Sequence, residues 1–150
     1  MEGQGLIHAW ALTAPHVTDS PMFRTLLEQM PVPVGIVLED AAYASRRNVT
    51  SVAERRGETF FPAKLRWTAR PKGHPLLRRM IPLYRHHPGV FHATYRFRAD
   101  VERAYSSIKH RQGPILRARS AVMQRREAGC RMIVRNLDLL ARAQALEGPL

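Results

Sequence analysis

The reading turns on the stretch Tyr95-Arg-Phe-Arg-Ala-Asp-Val-Glu-Arg-Ala-Tyr-Ser-Ser-Ile-Lys109. In it Tyr95, Arg98, Glu102 and Lys109 follow one another at spacings of three, four and seven residues. At about 3.6 residues per turn, these spacings put the four side chains in one stripe of a helix, roughly 60° wide. Phe97, Val101, Ala104 and Ile108 fall on a second stripe, largely opposite. The pattern predicts one helix over roughly 94–110 that buries its apolar side and aims a phenol, two cations and a carboxylate at a common target. Gln112-Gly-Pro114 breaks it.

That set of groups suits phosphate chemistry. A carboxylate can hold a divalent cation. Arg grips phosphate oxygens by two parallel bonds, and Lys does so as a point charge. A Tyr hydroxyl can bond a phosphate or a sugar, and its ring can stack on a base. Arg98 and Glu102 alone would be an ordinary i,i+4 surface pair. The four-residue pattern is what lifts the segment above that reading.

Working back toward the N-terminus, Val34-Gly-Ile-Val-Leu38 is a short apolar run suited to a buried strand, and Asp40 follows at its C-terminal end. Ligands of open α/β sheets gather at that edge. Gly5 to Thr13 reads as a strand, and 22–30 as a short amphipathic helix capped by Asp19 or Ser20 and ended by Pro31 and Pro33. Ser45 or Asn48 opens a helix that runs to Arg56 and stops at Gly57, and 58–64 reads as another strand. Strands alternating with helices argue for an α/β sheet layered by helices.

The segment 66–92 reads as a basic, Pro-rich insertion with at most one helical piece near 76–80. It is either a DNA-contacting loop or a solvated connector pinned by Trp67 and Tyr84. Beyond Pro114 the chain reads as one or two long helices ending near Leu146, with Cys130, Ile133, Val134, Leu137, Leu140 and Ala141 as a core stripe.

Tyr95, Arg98, Glu102 and Lys109 resemble the Tyr-x2-Arg-x3-Glu-x6-Lys signature of bacterial insertion-sequence transposases with a DDE catalytic domain. The flanks agree. Gly35 to Tyr43 resembles the strand that ends in the family's second catalytic Asp, Thr18-Asp-Ser20 its polar turn, and the segment from Arg126 its closing helix. The resemblance implies a ribonuclease-H-like fold in one domain spanning 1–150, followed by long C-terminal helices. It implies catalytic, metal-holding roles for Asp40 and Glu102, and DNA contacts for Tyr95, Arg98 and Lys109. It further implies Mg2+ or Mn2+ as cofactor, and element ends and target DNA as partners. The family's first carboxylate has no counterpart here, since Asp19 reads as a helix cap. The chain is therefore expected to be a C-terminal, truncated portion, inactive alone, that lacks the first strands. Its further partners would be the missing N-terminal part or a second copy of the chain.

Composition sets the remaining bounds. A net charge of +12 with 24 basic residues calls for an acidic partner, and nucleic acid is the usual one. A basic nucleic-acid-binding protein without catalysis is the alternative on this ground alone. The basic residues are spread along the chain, which argues against a membrane surface as partner. A single cysteine, Cys130, excludes an intrachain disulfide. With no apolar run long enough to span a bilayer, a cytoplasmic, nucleoid-associated protein is expected.

Overall fold

The structure is a computed structural model that describes residues 5–14, 20–30, 34–64, 67 and 74–147. Its elements are α1 (Met22–Gln29), β1 (Ile36–Leu38), α2 (Arg46–Glu54), β2 (Glu58–Phe60), α3 (Pro75–His86), α4 (Pro88–Tyr95), a 3-10 turn (Arg96–Arg98), α5 (Ala99–Gln112) and α6 (Ala121–Glu147). The chain divides into two compact units, Pro15–Ala99 and Met1–Ala14 with Asp100–Leu150. The α/β class holds in a mostly helical form. The capping role read for Asp19, and the stops read at Pro31 and Pro33, lie outside the described residues; the cap read for Ser20 is corrected, since α1 has Pro21 at its N-cap and no side-chain cap bond.

The unit Pro15–Ala99 is built on a strand–helix–strand crossover. β1 and β2 pair in parallel, with Ile36 opposite Glu58, Val37 opposite Thr59 and Leu38 opposite Phe60. Parallel neighbours need a long connection, and α2 supplies it. Ser45 opens α2, its hydroxyl accepting the Asn48 N–H at 3.1 Å. Val49 and Val52, three residues apart, put their side chains into the interior. Arg56 takes the left-handed conformation at φ 59° just after the helix. Gly57 follows where a Cβ would lie 2.9 Å from Val52 Cγ1 and 3.1 Å from the Gly35 carbonyl, so the turn back into β2 has room only for glycine.

The expectation of at most one helical piece in 66–92 is corrected by two helices, α3 over Pro75–His86 and α4 starting at Pro88. Pro75 sits at the start of α3, where its missing N–H costs nothing, and the His74 ring accepts the Leu76 N–H. Leu77, Met80 and Ile81 of α3 and Phe91 of α4 join Val49 and Phe61 in the buried core. Each such side chain contributes about 1.5–3 kcal/mol on burial. Trp67 packs edge-on against Phe61, and Tyr84 edge-on against Phe91. The two aromatics thus pin this segment to the core, as one of the two sequence readings held. Density of proline and arginine concealed the helices: Pro75 and Pro88 start helices here, and Pro82 lies within one.

In the other unit, the expected strand at 5–13 does not form. Its backbone groups are taken by side chains of α6 instead. Asn136 accepts the Ile7 N–H at 2.9 Å and donates to the Ile7 carbonyl at 2.8 Å, and Arg135 donates to Gly5. Trp10 lies over Gly129, where an added Cβ would be 3.0 Å from the indole. The stripe expected as core on α6 is also corrected. Ile133, Val134 and Leu137 are exposed, as are Cys130 and Leu140, whereas Ala128 and Met132 are buried. α6 turns its inner side by the bonds of its polar residues. Arg131 reaches the carbonyls of Gly113 and Ile115 and pairs with Glu127 at 2.7 Å, and Glu127 in turn accepts the N–H groups of Arg117 and Ala118. These N–H groups, Ala118 first, hold the Glu127 carboxyl below its ordinary range. The loop between α5 and α6 is thereby fastened to α6.

Candidate functional site

Asp40 stands just past β1, where the ladder has one more bond: the Glu39 N–H donates to the Phe60 carbonyl at 2.9 Å. Asp40 then turns the chain. Its Oδ1 accepts the Ala42 N–H at 2.7 Å, and its carbonyl accepts the Tyr43 N–H at 3.2 Å. This is the Asx-turn use of an aspartate at the end of a strand. The carboxylate therefore sits at the C-terminal edge of the parallel pair, half-buried, in a fixed orientation.

Sequence reasoning passed over the residue before it. Glu39 is 4% exposed. Its Oε1 accepts the Thr59 hydroxyl at 2.7 Å, while Oε2 is buried without a hydrogen-bond partner among the described residues. Burial raises its pKa to about 7, the Thr59 bond lowers it in part, and the Asp40 charge adds to the rise. The signal was available in outline: a charged residue directly following a buried apolar run needs a partner, and Thr59 on the facing strand was the one polar side chain in β2 able to offer a hydroxyl.

The signature residues fall on three consecutive elements and not on the single helix expected. Tyr95 ends α4, Arg98 ends the 3-10 turn, and Glu102 and Lys109 lie on α5. Three residues per turn in the 3-10 segment break the 3.6-residue phase on which the one-helix stripe depended. The opposing apolar stripe is realised only in part. Ala104 and Ile108 are buried, while Phe97 is 49% and Val101 56% exposed. Within the unit Pro15–Ala99 the structure brings Tyr95 to Asp40's strand end, its hydroxyl donating to the Glu39 carbonyl at 3.1 Å. Within the other unit, Glu102 and Lys109 are two turns apart on the same side of α5, both exposed. Glu102 is in the first turn and Lys109 in the last, each charge where the helix dipole favours it.

Carboxylate oxygens are the right chemistry for Mg2+ or Mn2+. Yet Asp40 has one oxygen on Ala42 and Glu39 has one on Thr59. Among the described residues no group of three or more His, Cys, Asp or Glu side chains is placed to hold a metal ion. These residues do not by themselves make a complete divalent-metal site. Among the described residues, too, no helix is long and apolar enough to cross a membrane.

A parallel strand pair followed by a fixed aspartate defines an α/β protein, and the chain that carries it has a net charge of +12. The family described as Transposase DDE domain matches residues 1–137, and the chain belongs to that family. Its function therefore lies in DNA transposition, its partners in general are DNA, and the family generally uses divalent metals. No curated protein and no solved structure matches the chain.

Proposed function

We infer that the chain takes part in metal-dependent cleavage and transfer of DNA strands, with a ribonuclease-H-like catalytic fold. Asp40 and Glu102 are its catalytic carboxylates and ligands for Mg2+ or Mn2+, and Arg98 and Lys109 hold the DNA backbone. The observation that carries this reading is Asp40 itself. A chain of the DDE family sets this carboxylate at the C-terminal edge of a parallel strand pair, oriented by its own turn. Phosphoryl transfer of this kind needs positioned carboxylates to concentrate and orient positive charge.

Asp40 and Glu102 are two carboxylates where that chemistry calls for three. The third is lent in trans by a second polypeptide. Alone, the 150-residue chain binds DNA and does not cut it. The test is Mg2+-dependent cleavage of DNA carrying element ends, by the purified chain and by the chain mixed with a polypeptide that carries the family's first catalytic strand. Activity only in the mixture, lost with Glu102→Ala, is expected. Robust cleavage by the chain alone, abolished by the same substitution, would overturn the reading.

The net charge favours a second reading, DNA binding without catalysis. It would win if Asp40→Asn and Glu102→Gln left both the response to Mg2+ and the preference for DNA ends unchanged.

A further inference from the structure

We propose that Tyr95 is a positioning residue for Asp40, acting through the peptide that joins Glu39 to Asp40. The proposal rests on Asp40 being a working carboxylate of the site. Its starting point is that Glu39 is gripped at three places. Its N–H donates to the Phe60 carbonyl at 2.9 Å, its Oε1 accepts the Thr59 hydroxyl at 2.7 Å, and its carbonyl accepts the Tyr95 hydroxyl at 3.1 Å. The first two holds come from β2. The third comes from the end of α4, fifty-six residues further along the chain.

The carbonyl that Tyr95 holds belongs to the planar peptide whose nitrogen is Asp40's own. Fixing that oxygen fixes the plane, and with it the direction in which Asp40 leaves the strand. The Ala42 and Tyr43 N–H groups then fix Asp40 from the other side. Tyr95 is the member of this set that lies outside the sheet and its turn.

The ring is well placed to act as a rigid support. It stacks on Phe91 with centroids 5.0 Å apart and planes at 28°. Phe91 is fully buried and also meets Phe60 at 5.9 Å. Phe60 is the residue whose carbonyl accepts the Glu39 N–H. Aromatic packing and hydrogen bonding thus converge on the same strand end, so a phenylalanine at 95 would keep the packing and lose only the hydroxyl. The signature resemblance gives this tyrosine to DNA. The geometry gives its hydroxyl a task inside the protein.

The experiment is Tyr95→Phe in the full chain, read by NMR hydrogen exchange at single amides. The Glu39 amide reports the strand end, and the Ala42 amide, whose acceptor is Asp40 Oδ1, reports the carboxylate. Exchange at both should accelerate by about tenfold, the scale of one lost hydrogen bond. The Val49 and Leu77 amides should keep their wild-type rates. Uniform acceleration would mean that the hydroxyl merely stabilises the fold, and unchanged exchange at Ala42 would mean that it does not reach Asp40. Either result overturns the proposal. So does a loss of affinity for a short DNA duplex with exchange unaltered, which would put the hydroxyl on DNA. Mn2+ broadening at Ala42, and its disappearance in Asp40→Asn, tests the ligand role of Asp40 separately. If that broadening is absent the ligand role fails, while the exchange comparison still decides the role of Tyr95.

Discussion

Glu39 is a carboxyl group placed where a carboxylate is costly. It is 4% exposed, one oxygen lacks a partner among the described residues, and Asp40 adds a like charge beside it. Its pKa rises from 4.5 to about 7 as a result. The unfolded chain releases this proton near 4.5 and the folded chain near 7. Between those values the folded state holds a proton that the unfolded state has lost. Stability from this group is complete below about pH 4.5, declines as pH rises through the window, and is gone above about 7. At about 1.4 kcal/mol per pH unit, the decline amounts to about 3 kcal/mol. Urea unfolding in chelator-containing buffer should show the chain less stable at pH 7.5 than at pH 5. Glu39→Gln should flatten that difference, and an equally steep decline in the variant would refute the assignment. Glu127 works in the opposite sense. Its carboxyl is held below the ordinary range, so what it contributes is present above about pH 4.5 and is lost only on further acidification. The two groups therefore act in separate parts of the pH scale.

At the scale of elements, the contrast between Phe91 and Phe97 separates the core helix α4 from the solvated 3-10 turn that follows it. Phe91, on α4, is fully buried and touches Phe60, Tyr84 and Tyr95. Phe97 is 49% exposed, with the Arg96 guanidinium over its ring. Phe91→Ala should cost about 3–5 kcal/mol, as deletion of a buried aromatic does. Phe97→Ala should stay within about 1 kcal/mol. Similar losses for the two would contradict the placement of α4 in the core. The same pair shows what the sequence could reveal. Period made α1 and β1 legible, the Ser45 cap made α2 so, and Gly113 marked the break, because those signals are local. Residues 75–95 carry a local signal too, but proline at a helix start reads the same in a sequence as proline in a loop. The 5–13 strand failed for a different reason. Its apolar run is compatible with a strand, and Asn136 and Arg135, more than a hundred residues away, decide where its backbone groups bond. The residue types of the candidate site were legible, but their spread over α4, the 3-10 turn and α5 was not. Nor were Glu39 and the bond from Tyr95, since both depend on which strand and which helix end pack against β1.

Across the whole molecule, charge governs what the surface can meet. Exposed cations occur in both units, among them Arg46, Arg47, Arg78 and Arg79 in one and Lys109, Arg125 and Arg126 in the other. Only some of them pair with acids, as Arg79 does with Glu58 at 3.4 Å across a half-exposed surface, where screening leaves little net energy. With a net charge of +12, a duplex is a natural counterpart, and its binding should be driven by release of the cations condensed on the phosphates. If about six phosphates are neutralised, affinity should fall roughly a thousandfold between 50 and 200 mM salt. The slope of log affinity against log salt then counts the contacts. Arg98→Ala and Lys109→Ala should each reduce it by about one, uniformly across sequences, if each holds one phosphate. Arg125→Ala serves as the comparison, because it removes the same charge from a residue with no assigned role. Equal effects from all three would show that net charge alone draws the DNA. A lower slope with Arg98 and Lys109 only would show that the signature cations touch the backbone, which is where a strand-transfer enzyme needs them.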